Sequence, residues 1–335
     1  AVASIAGPLL GGTFAEHLHW SLIFWINIPL GLVAMAIINK PLRKLPIAAK
    51  HHRIDGLGAL LLVAATALLL LALNWGGSEY PWLSREIFGL LACSAVIWSA
   101  FALRLLRAAE PLISLEVLGN PIVLAGTLSL FLLQAANIGL AVYLPVYLQS
   151  ILGLSASESG TAMLGLMLGT VAGATFSGRT IARVVHYKRI AMVGVTFAIL
   201  CLGILGLVAG HASLLIVEIL TTCIGLGSGT TFPVATVSVQ NAVDQAHLGV
   251  ATGVLTFLRS LGSALGVAIL GAVALGYGLP LAGEGTQAAS TAVEALAFVM
   301  IFFTAAAMLV MALVALVLMP EKPLRGHPEA PVLAD

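Results

Sequence analysis

An all-α polytopic membrane protein is the fold class this sequence predicts, and three observations predict it. Of its 335 residues, 60% are hydrophobic and only 9% are charged, against about a quarter charged in a soluble domain. Mean hydropathy is +1.09. The apolar residues come in unbroken stretches of about 20, the length that carries a helix across a ~30 Å hydrocarbon core. Barrel strands would be shorter and alternate in polarity. This balance leaves too little charge to cover a water-soluble globule, so a cytosolic enzyme, a nucleic-acid binder and a disordered tail are excluded. A net charge of +1 points to no partner through bulk electrostatics.

Along the chain, residues 1–15 are apolar but too short to span. They begin at Ala1 with no Met and no basic segment, so they read as the end of a helix rather than as a signal peptide. About nine full spans follow, at 21–39, 54–74, 86–106, 121–148, 158–178, 189–210, 213–238, 249–275 and 295–319. Lysine and arginine set the orientation. Lys40, Arg43, Lys44, Lys50 and Arg53 share one loop. Arg104 and Arg107, then Arg179, Arg183, Lys188 and Arg189, then Lys322 and Arg325 follow at two-span intervals. All thirteen fall on one side. Arg85 alone is opposite, and Arg259 lies within a span. The positive-inside rule places the basic loops and the C-terminus in the cytoplasm. Trp20, Trp25, Trp75, Tyr80 and Trp82 lie near the outer helix ends, where an aromatic belt is expected.

Several landmarks occur in order. Gly7-Pro8-Leu9-Leu10-Gly11-Gly12 combines a missing backbone donor with glycines that allow close helix approach. Next come Phe24-Trp25-Ile26-Asn27-Ile28-Pro29-Leu30-Gly31 and Glu110-Pro111-Leu112-Ile113. Tyr143-Leu144-Pro145-Val146-Tyr147-Leu148-Gln149 and Gly153-Leu154-Ser155-Ala156 complete the set. Each is weak alone. Together the chain resembles the fourteen-span drug:proton antiporter branch of the major facilitator superfamily, the EmrB/QacA-like branch.

The resemblance implies a major facilitator fold lacking its first four and a half helices. Gly7, Pro8, Gly11 and Gly12 would be the antiporter motif of helix 5. Residues 1–39 would end the N-terminal half, 40–53 would be a basic cytoplasmic loop and 54–106 the extra helix pair. Residues 107–319 would form the C-terminal six-helix half and 320–335 a cytoplasmic tail. Arg179, Arg183, Lys188 and Arg189 resemble a basic inter-helix loop of the family, but its acidic residue is absent here. The implied activity is proton-coupled export of toxic amphipathic or cationic compounds from a bacterial inner membrane. The partners implied are that substrate, protons and the lipid bilayer. A periplasmic adaptor or an N-terminal half encoded upstream would be protein partners. Export of an endogenous metabolite or siderophore, and a non-transporting membrane fragment, are the alternatives.

Polar residues inside spans are the candidate cavity or coupling residues, because burying them in lipid is costly. Arg259 sits near mid-depth, and Thr252, Thr256 and Ser263 share its face at helical spacing. The face reads as a cavity wall or as a brace between helices, with Gly262 and Gly266 as a close-contact pair. Glu218, about a turn and a half into its helix, is either a proton-binding carboxylate or an interfacial acid. Gln134 and Asn137 face one way and would bond a substrate or another helix. Tyr143 and Tyr147 would receive lipophilic cations or sit in the belt.

Gly165, Gly169, Gly173 and Ser177 form a small-residue packing stripe, against which helix 5 is expected to lie through Gly11 and Gly12. Gly225-Leu226-Gly227-Ser228-Gly229 lacks the strand context of a dinucleotide loop, and no phosphate-binding P-loop occurs. Neither cofactor nor metal is expected. Cys93, Cys201 and Cys223 have neither metal-ligand nor redox spacing and read as small apolar residues.

Overall fold

The computed structural model describes residues 21–42, 55–77, 79–108, 111, 113, 115–184, 186–279 and 291–324. Gly7, Pro8, Gly11 and Gly12 lie outside the described residues, as does nearly all of the basic loop. The chain divides into two compact units, Ala1–Arg53 and Ile54–Asp335.

In the first unit, α1 (Leu22–Trp25) and α2 (Asn27–Leu42) replace the single span expected over 21–39. The break has a local cause. Pro29 has no N–H to donate, and its ring crowds the carbonyl four residues back, at Trp25. The apolar part of α2, Asn27–Asn39, is shorter than a membrane crossing.

The second unit contains α3 (Gly56–Trp75), α4 (Arg85–Arg107), α5 (Leu115–Gly119), α6 (Pro121–Ser150), α7 (Ala156–Ile181), α8 (Lys188–Val208), α9 (Leu214–Gly229), α10 (Thr231–Ala242), α11 (Leu248–Gly276) and α12 (Thr291–Leu318). Counting α9 and α10 as one span, eight helical segments among the described residues are long and apolar enough to cross a membrane. The nine expected spans thus become eight plus the broken segment of the first unit. The 213–238 span is itself interrupted at Thr230. Pro233 again ends a helix four residues ahead, at Gly229, whereas α6 runs through Pro145.

Two kinds of contact hold the second unit together. In the α3–α4 hairpin, Asp55 caps α3 by accepting from the Gly58 N–H at 2.9 Å. It also takes both Nε and an Nη of Arg104, at 3.2 and 3.1 Å. Ser94 Oγ donates across the pair to the Ala65 carbonyl at 2.8 Å.

The remaining helices close through small residues. Gly165, Gly169, Gly173 and Ser177 of α7 meet Glu218, Thr222, Leu226 and Thr230 in register, one turn at a time. The last step is a hydrogen bond of 2.7 Å from Ser177 Oγ to the Thr230 carbonyl. The stripe is therefore filled by α9, which corrects the expectation that helix 5 lies on it. Gly262 and Gly266 of α11 meet Phe131 and Ala135 of α6 in the same stepwise manner, and Leu270 meets Gly139.

The helix ends at the expected cytoplasmic side are tied by the tail. Lys188 Nζ donates to the carbonyls of Val317 and Met319 at 2.8 and 2.6 Å. Glu321 accepts the Lys188 backbone N–H at 3.0 Å and pairs with His186 at 3.2 Å. A carboxylate of the tail thus holds the start of α8.

Candidate functional site

The polar residues singled out in the sequence lie on α6, α9 and α11, and the helix seams decide what each one faces. On α6, Phe131, Ala135 and Gly139 take α11. Gly126 takes α10, where a Cβ would meet Val239 and the Ala235 carbonyl. Asn137 takes α9: its Oδ1 accepts from Ser228 Oγ at 3.1 Å, while its Nδ2 donates to the Leu133 carbonyl at 3.0 Å. At ~100° per residue, Gln134 projects between these two edges. The strip it stands on is buried at Val123, Thr127 and Leu130 and half-buried at Gln134, Ile138, Ala141 and Pro145.

This strip holds polar atoms that no described residue bonds. Among the described residues, Gln134 Oε1 and Thr127 Oγ1 are buried without a hydrogen-bond partner, as is Thr231 Oγ1 at the start of α10. A buried unpaired polar atom costs about 1–3 kcal/mol, so such groups mark a strain or a ligand position. The antiparallel register, fixed by Gly126–Ala235 and Asn137–Ser228, sets Gln134 at the level of the Thr230 break. Thr127 and Thr231 were not found from the sequence. Thr127 carried a usable signal, since it lies seven residues before Gln134 and hence on the same face. Thr231 carried none until the break at Pro233 was seen.

On α11, Arg259 is half-buried and projects within about 60° of Gly262 and 20° of Gly266. It therefore stands on the side of α11 that packs on α6. Ser263 Oγ donates to the Arg259 carbonyl at 3.2 Å, so its hydroxyl is used within its own helix. Thr252 is half-buried and Thr256 exposed. On α9, Glu218 is half-buried, and its carbonyl accepts from Thr221 and Thr222 at 3.2 and 2.7 Å. Among the described residues neither Arg259 nor Glu218 forms an ion pair.

The two tyrosines separate. Tyr147 is fully buried, donates to the Ala209 carbonyl at 2.7 Å and stacks edge-on against Phe298 and Phe302 at 5.2 and 5.3 Å. It lies in the closed core, in neither of the two places the sequence left open for it, a cavity wall or the interfacial belt. Tyr143 lines a cavity of about 520 Å³ between α3, α6 and α11, with its hydroxyl beside Gly271. The structure thus brings Asn137 and Ser228 to one seam, with Gln134 on the strip beside it, and leaves Tyr143 at another. No group of three or more His, Cys, Asp or Glu among the described residues could hold a metal ion.

Residues 1–267 match the family model described as Major Facilitator Superfamily. An uncharacterized MFS-type transporter of Mycobacterium tuberculosis is 31% identical over 278 residues, covering 82% of this chain and 40% of the relative. Multidrug transporter protein MdtP of Bacillus subtilis is 30% identical over 274 residues, 81% of this chain and 50% of its own length. Aspyridones efflux protein of Neocamarosporium betae is 30% identical over 278 residues, 80% of this chain and 49% of its own length. The chain spans half or less of the length of these relatives.

Proposed function

The chain belongs to the Major Facilitator Superfamily, and from that premise we propose that it is the carboxy-terminal part of a proton-driven exporter of toxic amphipathic or cationic compounds. The observation that carries this reading is that relatives named for multidrug transport and efflux align with about four-fifths of it, at 30% identity. On this reading the exporter is of the fourteen-span branch. Helices α3 and α4 are the extra pair, α6 to α12 form the C-terminal half, and the basic loops and tail lie in the cytoplasm of a bacterial inner membrane.

Two pseudo-symmetric halves rock around a central site, and differential affinity of the two facing states gives direction. The C-half presents the α6 strip of Thr127 and Gln134, backed by Asn137 and Ser228. It offers uncharged hydrogen-bonding groups next to apolar surface, which suits substrates of mixed polarity. Arg259 borders this half at mid-depth, where its ~2.5–3.5 kcal/mol insertion cost is tolerated away from lipid. Glu218 is the carboxylate available to carry a proton. Gly7, Pro8, Gly11 and Gly12 serve as the antiporter motif.

A second reading, export of an endogenous metabolite, is favoured by the name of the aspyridones relative. The test is accumulation of ethidium in an efflux-deficient bacterium expressing the full-length protein that carries this chain. Lower accumulation, abolished by an uncoupler, is expected. Accumulation equal to the empty-vector control contradicts drug export and leaves the metabolite reading. Export that survives the uncoupler contradicts proton coupling. Arg259→Ala is expected to cut export about tenfold with unchanged membrane abundance, and Arg259→Lys less, since charge survives while the planar fork is lost.

A further inference from the structure

Two of the three cysteines, isolated in sequence, are not isolated in space. Cys201 lies on α8 and Cys223 on α9, and these helices cross through glycine. A Cβ on Gly194 would meet Thr230 Oγ1 and the Gly227 carbonyl, and one on Gly227 would meet the Gly194 carbonyl and Ala198 Cβ. Gly194, Ala198 and Cys201 fall on one face of α8, and Cys223, Gly227 and Thr230 on one face of α9. The helices run antiparallel, so one turn beyond the glycine crossing Cys201 comes opposite Cys223. Cys201 is buried, Cys223 is half-buried, and neither is in a disulfide.

We propose that Cys201 and Cys223 form an intramembrane dithiol site that takes trivalent arsenic. The surroundings select this chemistry. With no third ligand in the cluster, a tetrahedral zinc site is ruled out among the described residues. Soft sulfur donors favour soft, thiophilic centres. An apolar setting keeps thiols protonated, and an arsine oxide reacts with protonated thiols. Two As–S bonds form, the As=O bond breaks, and both thiol protons leave with the oxygen as water. Arsenic remains trivalent, so neither oxidant nor reductant is required. A paired site holds the arsenical through two bonds at once, which a single thiol cannot. An uncharged aryl arsenical reaches the site from the bilayer at half-buried Cys223. The bridge fastens α8 to α9 two turns before the Thr230 break.

The experiment treats the full chain in membranes with phenylarsine oxide, then denatures it and locates alkylated cysteines by mass spectrometry after maleimide treatment. Two of the three cysteines are expected to be protected, Cys201 and Cys223, with Cys93 alkylated and protection reversed by ethanedithiol. Cys201→Ser and Cys223→Ser each lose protection at the remaining thiol of the pair. Cys93→Ser, outside the pair, keeps protection at both. Three alkylated cysteines in the treated wild-type chain overturn the proposal, as does protection that persists in either pair variant. The readout is independent of transport, so its failure leaves the export reading untouched.

Discussion

The α3–α4 hairpin and the block from α6 to α12 are both built from apolar helices, yet they are held differently. In α3 and α4, 17% of each span is buried in protein, against 56% in α6. The hairpin relies on polar fasteners, the Asp55–Arg104 pair and the Ser94 hydroxyl. The block relies on backbone approach at glycine, repeated every turn along α7–α9 and α6–α11. In a bilayer, apolar surface gives two helices no reason to prefer each other over lipid. Association then needs either a polar bond or a close fit: the hairpin leans on the first, while the block leans on the second and adds polar bonds such as Ser177–Thr230 and Asn137–Ser228.

That difference predicts where substitution does harm. The largest effect is expected at Gly173, where an added Cβ would run into the Leu226 carbonyl. Overpacking against movable side chains costs about 1–3 kcal/mol, and backbone gives way less easily. Gly173→Leu should therefore abolish the folded, monodisperse protein seen by fluorescence-detected gel filtration. Gly89→Leu on α4, where nothing lies within 4 Å, should stay within about 0.5 kcal/mol of wild type. Equal behaviour of the two variants would break the comparison.

Asp55→Ala comes next. It removes a helix cap worth about 1 kcal/mol and the partner of Arg104. That guanidinium is 41% exposed, so water screens part of the loss. Hydrogen exchange should rise within residues 56–107 and stay unchanged in 121–318. Among the substitutions that remove a contact, the smallest effect is expected at Tyr147→Phe, which deletes one hydrogen bond to the Ala209 carbonyl and keeps the aromatic cluster. About 1 kcal/mol of thermal stability should be lost, with transport unaltered. A large transport defect at normal stability would return Tyr147 to the cavity.

The spans were legible in the sequence because membrane thickness fixes their length, and eight appeared within a few residues of their expected ends. The breaks at Trp25 and Gly229 were not, although Pro29 and Pro233 were visible, because Pro145 interrupts nothing in α6. A proline alone does not tell whether neighbours re-satisfy the freed carbonyl. The packing role of Gly165, Gly169, Gly173 and Ser177 could be read from their spacing, but their partner could not. Asn137 was recognised as polar and inward, whereas Ser228 as its partner, the Cys201–Cys223 pair and Thr231 depend on registers between helices distant in sequence.

The most direct test of the account is proton movement in everted vesicles containing the full-length protein and an imposed inside-acid gradient. Adding ethidium should dissipate the gradient, reported by dequenching of acridine orange. The response should saturate with ethidium and be lost in Glu218→Gln combined with Arg259→Ala. Ethidium uptake into the vesicles with no change in acridine orange quenching would contradict the account.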